Sequence, residues 1–183
     1  MSAAAPAPAR MLRGVPPAAL WPGLAGLLPF AACALLPLAT DPSWHPLLQR
    51  ALVAYGAVIL AFVGAIHWGI ALMAARDGAD HGADAGAGSS SNGDGRGRVA
   101  ATAAAGRFAW SVFPALWGWL ALFPSFVVAL AMLGIGFIVQ LAVDWRIAGT
   151  FGLPAWYLAL RSLLTSGVLL ALLLASLATA VLV

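Results

Sequence analysis

Ala51–Ala74, ALVAYGAVILAFVGAIHWGIALMA, is the stretch whose reading decides the fold, and it carries no formal charge at neutral pH. At about 1.5 Å per residue it crosses a hydrocarbon core of roughly 30 Å with some tilt. Gly56, Leu60, Gly64 and His67 fall on one face of such a helix. Ala57, Ala61, Ala65 and Gly69 form a neighbouring row at every fourth position. Small residues in that pattern let two backbones approach closely, which in lipid is rewarded by van der Waals packing. The expectation is a helix at the centre of a bundle with His67 facing other helices, although the abundance of alanine accounts for part of the row.

The rest of the composition agrees. Charged residues make up 8% of the 183, against roughly 25% in soluble domains, and the mean hydropathy is +0.97. The class is an integral membrane protein, all-α, of a length that suits one domain. All nine basic residues are arginine and all six acidic residues are aspartate, a bias we read as belonging to the source. A net charge of +3, spread along the chain, gives no nucleic-acid footprint. The single cysteine, Cys33, permits no intrachain disulfide.

Five membrane helices are expected, at about 20–39, 51–74, 107–123, 126–143 and 158–183. Together they make a membrane domain over 18–183, preceded by a disordered tail at 1–17 and interrupted by a disordered linker at 77–100. Arg10 and Arg13 before the first apolar run, and Phe30-Ala31-Ala32-Cys33 within it, also fit a signal or lipoprotein peptide. The run is long for that, however, and stays apolar past Cys33. Pro29 predicts a kink in the first helix and Pro114 one in the third. Thr40–Arg50 reads as a short polar connection, with Trp44 suited to a membrane interface. The linker, GADHGADAGAGSSSNGDGRG, holds too little apolar surface to offset its ordering entropy. Asp80, His81 and Asp84 in it have the residue types of a metal site, but we read them as part of a flexible solvated linker. Pro124-Ser125 makes a tight hairpin of helices three and four. Asp144 ends the fourth helix, free to pair with Arg146 or with another helix end, and Pro154 suits the first turn of the last.

Arginine is distributed asymmetrically. Arg10, Arg13, Arg76, Arg96, Arg98, Arg107, Arg146 and Arg161 share one side of a five-helix topology, and Arg50 lies on the other. The positive-inside rule then places the N-terminus in the cytoplasm and the C-terminus outside.

Tyr55-Gly56-Ala57-Val58-Ile59-Leu60 with His67-Trp68-Gly69 resembles the signature of the membrane family called domain of unknown function 3429. Trp110-Ser111-Val112-Phe113-Pro114, Asp144, Leu153-Pro154-Ala155-Trp156-Tyr157 and Leu160-Arg161-Ser162-Leu163-Leu164-Thr165 fit the same pattern, so the resemblance runs from about Leu20 to Ala175. It implies a multi-pass inner (cytoplasmic) membrane protein and supplies no activity. The long Gly/Ser/Asp insert departs from the family's shorter connection.

His67, Ser111, Gln140, Asp144, Arg161 and Thr165 gather in the cytoplasmic half of this topology. Ionisable groups in hydrocarbon are costly and face the bundle interior. We expect His67, Ser111, Gln140 and Thr165 to form a hydrogen-bonded group, either a structural network or a proton relay or small-ligand pocket. The structural version is favoured because helix two contains no charged partner for His67. No catalytic residue, metal ligand set or cofactor is expected. HExxH, CxxC, P-loop and GxSxG patterns are missing, and one intramembrane histidine does not suit a b-type haem. The eight tryptophans read as interface anchors and packing residues. The functional expectation is a structural or assembly protein, with the lipid bilayer, other membrane proteins or a second copy as partners. The alternative is a small transporter or proton-conducting protein built around His67.

Overall fold

The computed structural model describes residues 14–84, 93–151 and 153–182. Among these every regular element is helical: α1 Pro17–Ala25, α2 Leu28–Leu35, two 3-10 turns at Leu36–Leu38 and Pro42–Trp44, α3 His45–Asp84, α4 Gly93–Leu120, α5 Phe126–Phe151 and α6 Ala155–Leu182. Four stretches are long and apolar enough to cross a membrane, Pro17–Leu38, Pro42–Met73, Phe126–Gly149 and Ala155–Val181. The segment expected as the third crossing, 107–123, forms the second half of α4 and the start of the following turn. Most of the expected N-terminal tail (1–13) and the middle of the expected linker (85–92) lie outside the described residues.

Helix ends differ from those expected, for local reasons. The first apolar run breaks at Gly26–Leu27, one turn before Pro29. Proline lacks the N–H that would bond the carbonyl four residues back, so the break falls where that donor is missing. Beside the freed Ala25 carbonyl, the Gly26 carbonyl accepts a hydrogen bond from the Tyr55 hydroxyl at 3.0 Å. The connection to α3 is shorter than Thr40–Arg50. Asp41 Oδ1 accepts from the Ser43 N–H at 2.9 Å, which starts a 3-10 turn and holds the Asp41 carboxyl below its ordinary pKa. His45 Nε2 donates to the Pro37 carbonyl at 3.1 Å, and α3 begins there. At the other end of the chain α5 continues past Asp144 to Phe151, and α6 starts directly after Pro154.

Gly56, Leu60, Gly64 and His67 are all buried. In the neighbouring row Ala57 is buried, but Ala65 and Gly69 are exposed and a Cβ on Gly69 would meet nothing. The close approach is therefore confined to part of α3. Gly118 of α4 lies so near Ala57 that an added Cβ would come within 3.0 Å of the Ala57 carbonyl oxygen, and Gly64 is equally tight against Pro114. Trp68 and Phe108 meet edge to face at 4.9 Å. The pairings 57 with 118, 64 with 114 and 68 with 108 make α3 and α4 antiparallel.

α5 enters against this pair, with Gly136 under Leu60 and the Trp117 ring. Trp117 Nε1 donates to the Met132 carbonyl at 2.7 Å, which fixes the two arms of the hairpin. Gly23 faces Leu164 and Gly167 faces Leu27, so the first membrane segment and α6 run parallel. Phe30, Leu52, Leu60 and Leu133 fill the centre and are almost fully buried.

Candidate functional site

Three helices deliver four polar side chains to one buried point. α5 carries Gln140 and Asp144 one turn apart, on the same face. α3 brings His67 and α6 brings Arg161. Asp144 and Gln140 are 1% exposed, and His67 and Arg161 are 6% and 7% exposed. Arg161 Nε donates to Asp144 Oδ2 at 2.8 Å. The Gln140 amide nitrogen lies 2.9 Å from His67 Nδ1. His67 Nε2 lies 3.3 Å from Asp144 Oδ1, a close contact without the alignment of a hydrogen bond.

These distances favour one tautomer of the ring. With the amide nitrogen donating, Nδ1 accepts and the ring proton sits on Nε2, facing the carboxylate. Reversing the Gln140 amide would put the proton on Nδ1 and set the Nε2 lone pair against Asp144, which is repulsive. The cluster therefore runs Arg161, Asp144, His67, Gln140, with the proton-bearing imidazole edge turned to the carboxylate.

The arrangement departs from the sequence expectation at three points. Asp144 lies inside α5 rather than at a helix end, and its partner is Arg161; Arg146 is exposed. His67 does have a charged neighbour, supplied by α5 rather than by its own helix. Ser111 donates to the Phe108 carbonyl of its own helix at 2.6 Å and not to His67. Thr165 is buried one turn beyond Arg161, and among the described residues no hydrogen bond joins it to His67.

The cluster is not saturated. Arg161 Nη2 and Gln140 Oε1 are buried without hydrogen-bond partners. Beside it lies a cavity of about 440 Å³ whose wall includes Arg161, Thr165, Tyr157, Phe30, Phe62 and Phe137. That volume falls among small-molecule sites, which span roughly 300–1,000 Å³. The sequence gives no hint of this cavity, because five helices, α1, α2, α3, α5 and α6, contribute to its wall and no local pattern encodes their meeting. Gln140 and Asp144 at a spacing of four were the available signal for the cluster. Among the described residues no group of three or more His, Cys, Asp or Glu is placed to hold a metal. The side chains of Asp80, His81 and Asp84 lie outside the described residues.

Several long apolar helices packed through small residues, around a buried ionic cluster, define a multi-pass helical membrane protein. The chain belongs to the family described as "Protein of unknown function (DUF3429)", whose match covers residues 15–177. It is similar to Transmembrane protein 69 of Xenopus tropicalis, 32% identical over 160 residues, which are 85% of this chain and 52% of that protein. It is also similar to Transmembrane protein 69 of Mus musculus, 49% identical over 57 residues, 31% of this chain and 23% of that protein. The chain thus spans about half the length of the frog relative at most. No solved structure matches.

Proposed function

We propose that this is a five-pass inner-membrane protein, N-terminus in the cytoplasm, in which the His67–Asp144–Arg161–Gln140 cluster forms the polar end of a small-ligand site. The observation that carries the reading is the cluster's unused capacity. A purely structural bracket is expected to be saturated, because an unpaired buried donor costs roughly 1–3 kcal/mol. Here Arg161 Nη2 and Gln140 Oε1 lack partners, and Arg161 is the member of the cluster that also lines an apolar cavity. A structural or assembly role remains the second reading, favoured by the way Asp144 ties together α3, α5 and α6.

Two features support five crossings. The first segment and α6 run parallel, which requires an odd number of passes between one side and the other if both span. The arginines other than Arg50 then all fall on one side. Reporter fusions after Ser90 should read cytoplasmic and fusions after Val183 external. A cytoplasmic reading at Val183 would remove the fifth crossing.

Substitution of His67 separates the two functional readings. If the cluster is structural, thermal stability in detergent should fall in the order wild type, His67→Gln, His67→Leu, with no further defect. If it is a ligand site, both variants should fold, while native mass spectrometry finds a small molecule retained by the wild type and lost from both. Wild-type protein purified from native membranes with no retained molecule would sink the ligand reading.

A further inference from the structure

We infer that the cavity beside the cluster holds one acyl chain of a membrane lipid, drawn in from the side of the bundle. The inference rests on the ligand-site reading above and names the part of a ligand that the cavity itself recognises. Much of the wall is built from three helix faces. α1 presents Ala19, Gly23 and Gly26, and α3 presents Ile59, Phe62 and Ile66. α6 presents Trp156, Leu160, Leu164 and Val168. Residues three or four apart share one face of a helix, so the cavity runs along the helix axes as a groove. With alanine and glycine on its face, α1 leaves that space unfilled.

Position in the membrane selects the occupant. The mouth lies between α1 and α3, where Pro22 and Phe62 are exposed, and the floor is formed by the buried Phe137, Leu160 and Val168. A mouth on the flank of a membrane bundle faces hydrocarbon. On α6 the wall ends at Val168, the middle residue of the apolar stretch Ala155–Val181. On the first segment it runs from Ala19 to Phe30 and ends within a turn of the middle of Pro17–Leu38. α3 runs opposite to that segment, because Phe30 meets Tyr55 and Pro37 meets His45, and its wall residues fall in the second half of Pro42–Met73. All three helices therefore confine the groove to one leaflet. From Trp156 to Val168 it is about 18 Å long, against roughly 15 Å for half a hydrocarbon core.

That length decides between apolar occupants. A transmembrane helix of a second copy or of another protein crosses both leaflets, and a groove whose lining stops at the midplane would receive only half of it. An acyl chain starts at the headgroups and ends at the midplane. Arg161, the charged residue of the wall, is paired with Asp144. The groove therefore selects a chain and sets no requirement on the headgroup. Filling it recovers the dispersion contacts that an empty groove forfeits.

The experiment places the full chain in nanodiscs of dioleoylphosphatidylcholine with an increasing fraction of phosphatidylcholine that carries a diazirine midway along one acyl chain. After irradiation, peptide mass spectrometry locates the labelled residues. Half-buried Ile66 and Leu164 in the groove should be labelled more heavily than the exposed Val112 and Leu163. Labelling in the groove should saturate with probe fraction, while that of Val112 and Leu163 rises in proportion. Ala19→Phe and Ile59→Phe fill the groove from α1 and from α3. Each should reduce labelling at Leu164 about four- to tenfold, equivalent to one or two methylene groups of lost burial, and leave Val112 and Leu163 unchanged. Labelling that follows exposure, heaviest at Val112 and Leu163, would assign the chains to the ordinary lipid annulus and overturn the inference. A molecule still retained by the wild type in native mass spectrometry would then leave the ligand-site reading standing. Groove labelling unchanged in both filled variants would overturn the inference as well.

Discussion

Asp144→Asn should leave the protein much less stable in detergent, by roughly 3–5 kcal/mol, because it strands a buried charge without its partner. Asparagine keeps the shape of the side chain, so little packing is lost. What is lost is the carboxylate that receives Arg161 Nε at 2.8 Å and faces His67 at 3.3 Å. Arg161, only 7% exposed, would be left with nothing to balance its charge. Chemical or thermal unfolding in a mild detergent measures the effect. The paired replacement Asp144→Leu with Arg161→Leu should recover most of the loss, since a buried ion pair is often replaced by apolar residues at little net cost. An Asp144→Asn protein as stable as wild type would mean that Arg161 reaches headgroups or water.

Gly118→Leu should cost about 1–3 kcal/mol or more and push α3 and α4 apart. The Cβ alone would lie 3.0 Å from the Ala57 carbonyl oxygen and 3.1 Å from its Cα. Those are backbone atoms and cannot swing aside as a side-chain tip can. The change at Gly134 is the comparison: its nearest neighbour is a Leu169 methyl at 3.7 Å, an ordinary contact. Gly134→Ala should therefore be close to neutral or slightly stabilising, since alanine is the better helix former. Melting temperatures of the two variants in the same detergent test the pair. Equal losses would mean that the α3–α4 seam is looser than its geometry.

Much of this architecture is legible in the sequence because the bilayer makes length and charge decisive. The second apolar stretch, with Gly56, Leu60, Gly64 and His67 on its inner face, needs only helical periodicity. Boundaries are less legible, because they depend on partners far away in the chain. Asp144 reads as a terminator while it is considered alone, and becomes an interior residue once Arg161 neutralises it. The break at Gly26 goes with the missing donor of Pro29, which frees the Ala25 carbonyl, and the next carbonyl, that of Gly26, is taken by Tyr55, 29 positions away. Ser111 shows the opposite error: its polar side chain needs no long-range partner because its own helix offers one. The cavity is the least legible feature, since it is defined by what several helices fail to fill.

The pairing of Asp144 with Arg161 also bears on how the chain is made. The two residues sit on consecutive helices, 17 positions apart, joined by a short turn. Each alone is costly in an inserting helix, up to about 2.5–3.5 kcal/mol at the centre and less toward the ends where these two lie. A helix released singly into lipid would carry that cost until its neighbour emerged from the ribosome. The two helices are therefore best handed to the bilayer as one hairpin, with the ion pair formed at the insertion machinery rather than afterwards. The order of synthesis is in this way written into the placement of two charges.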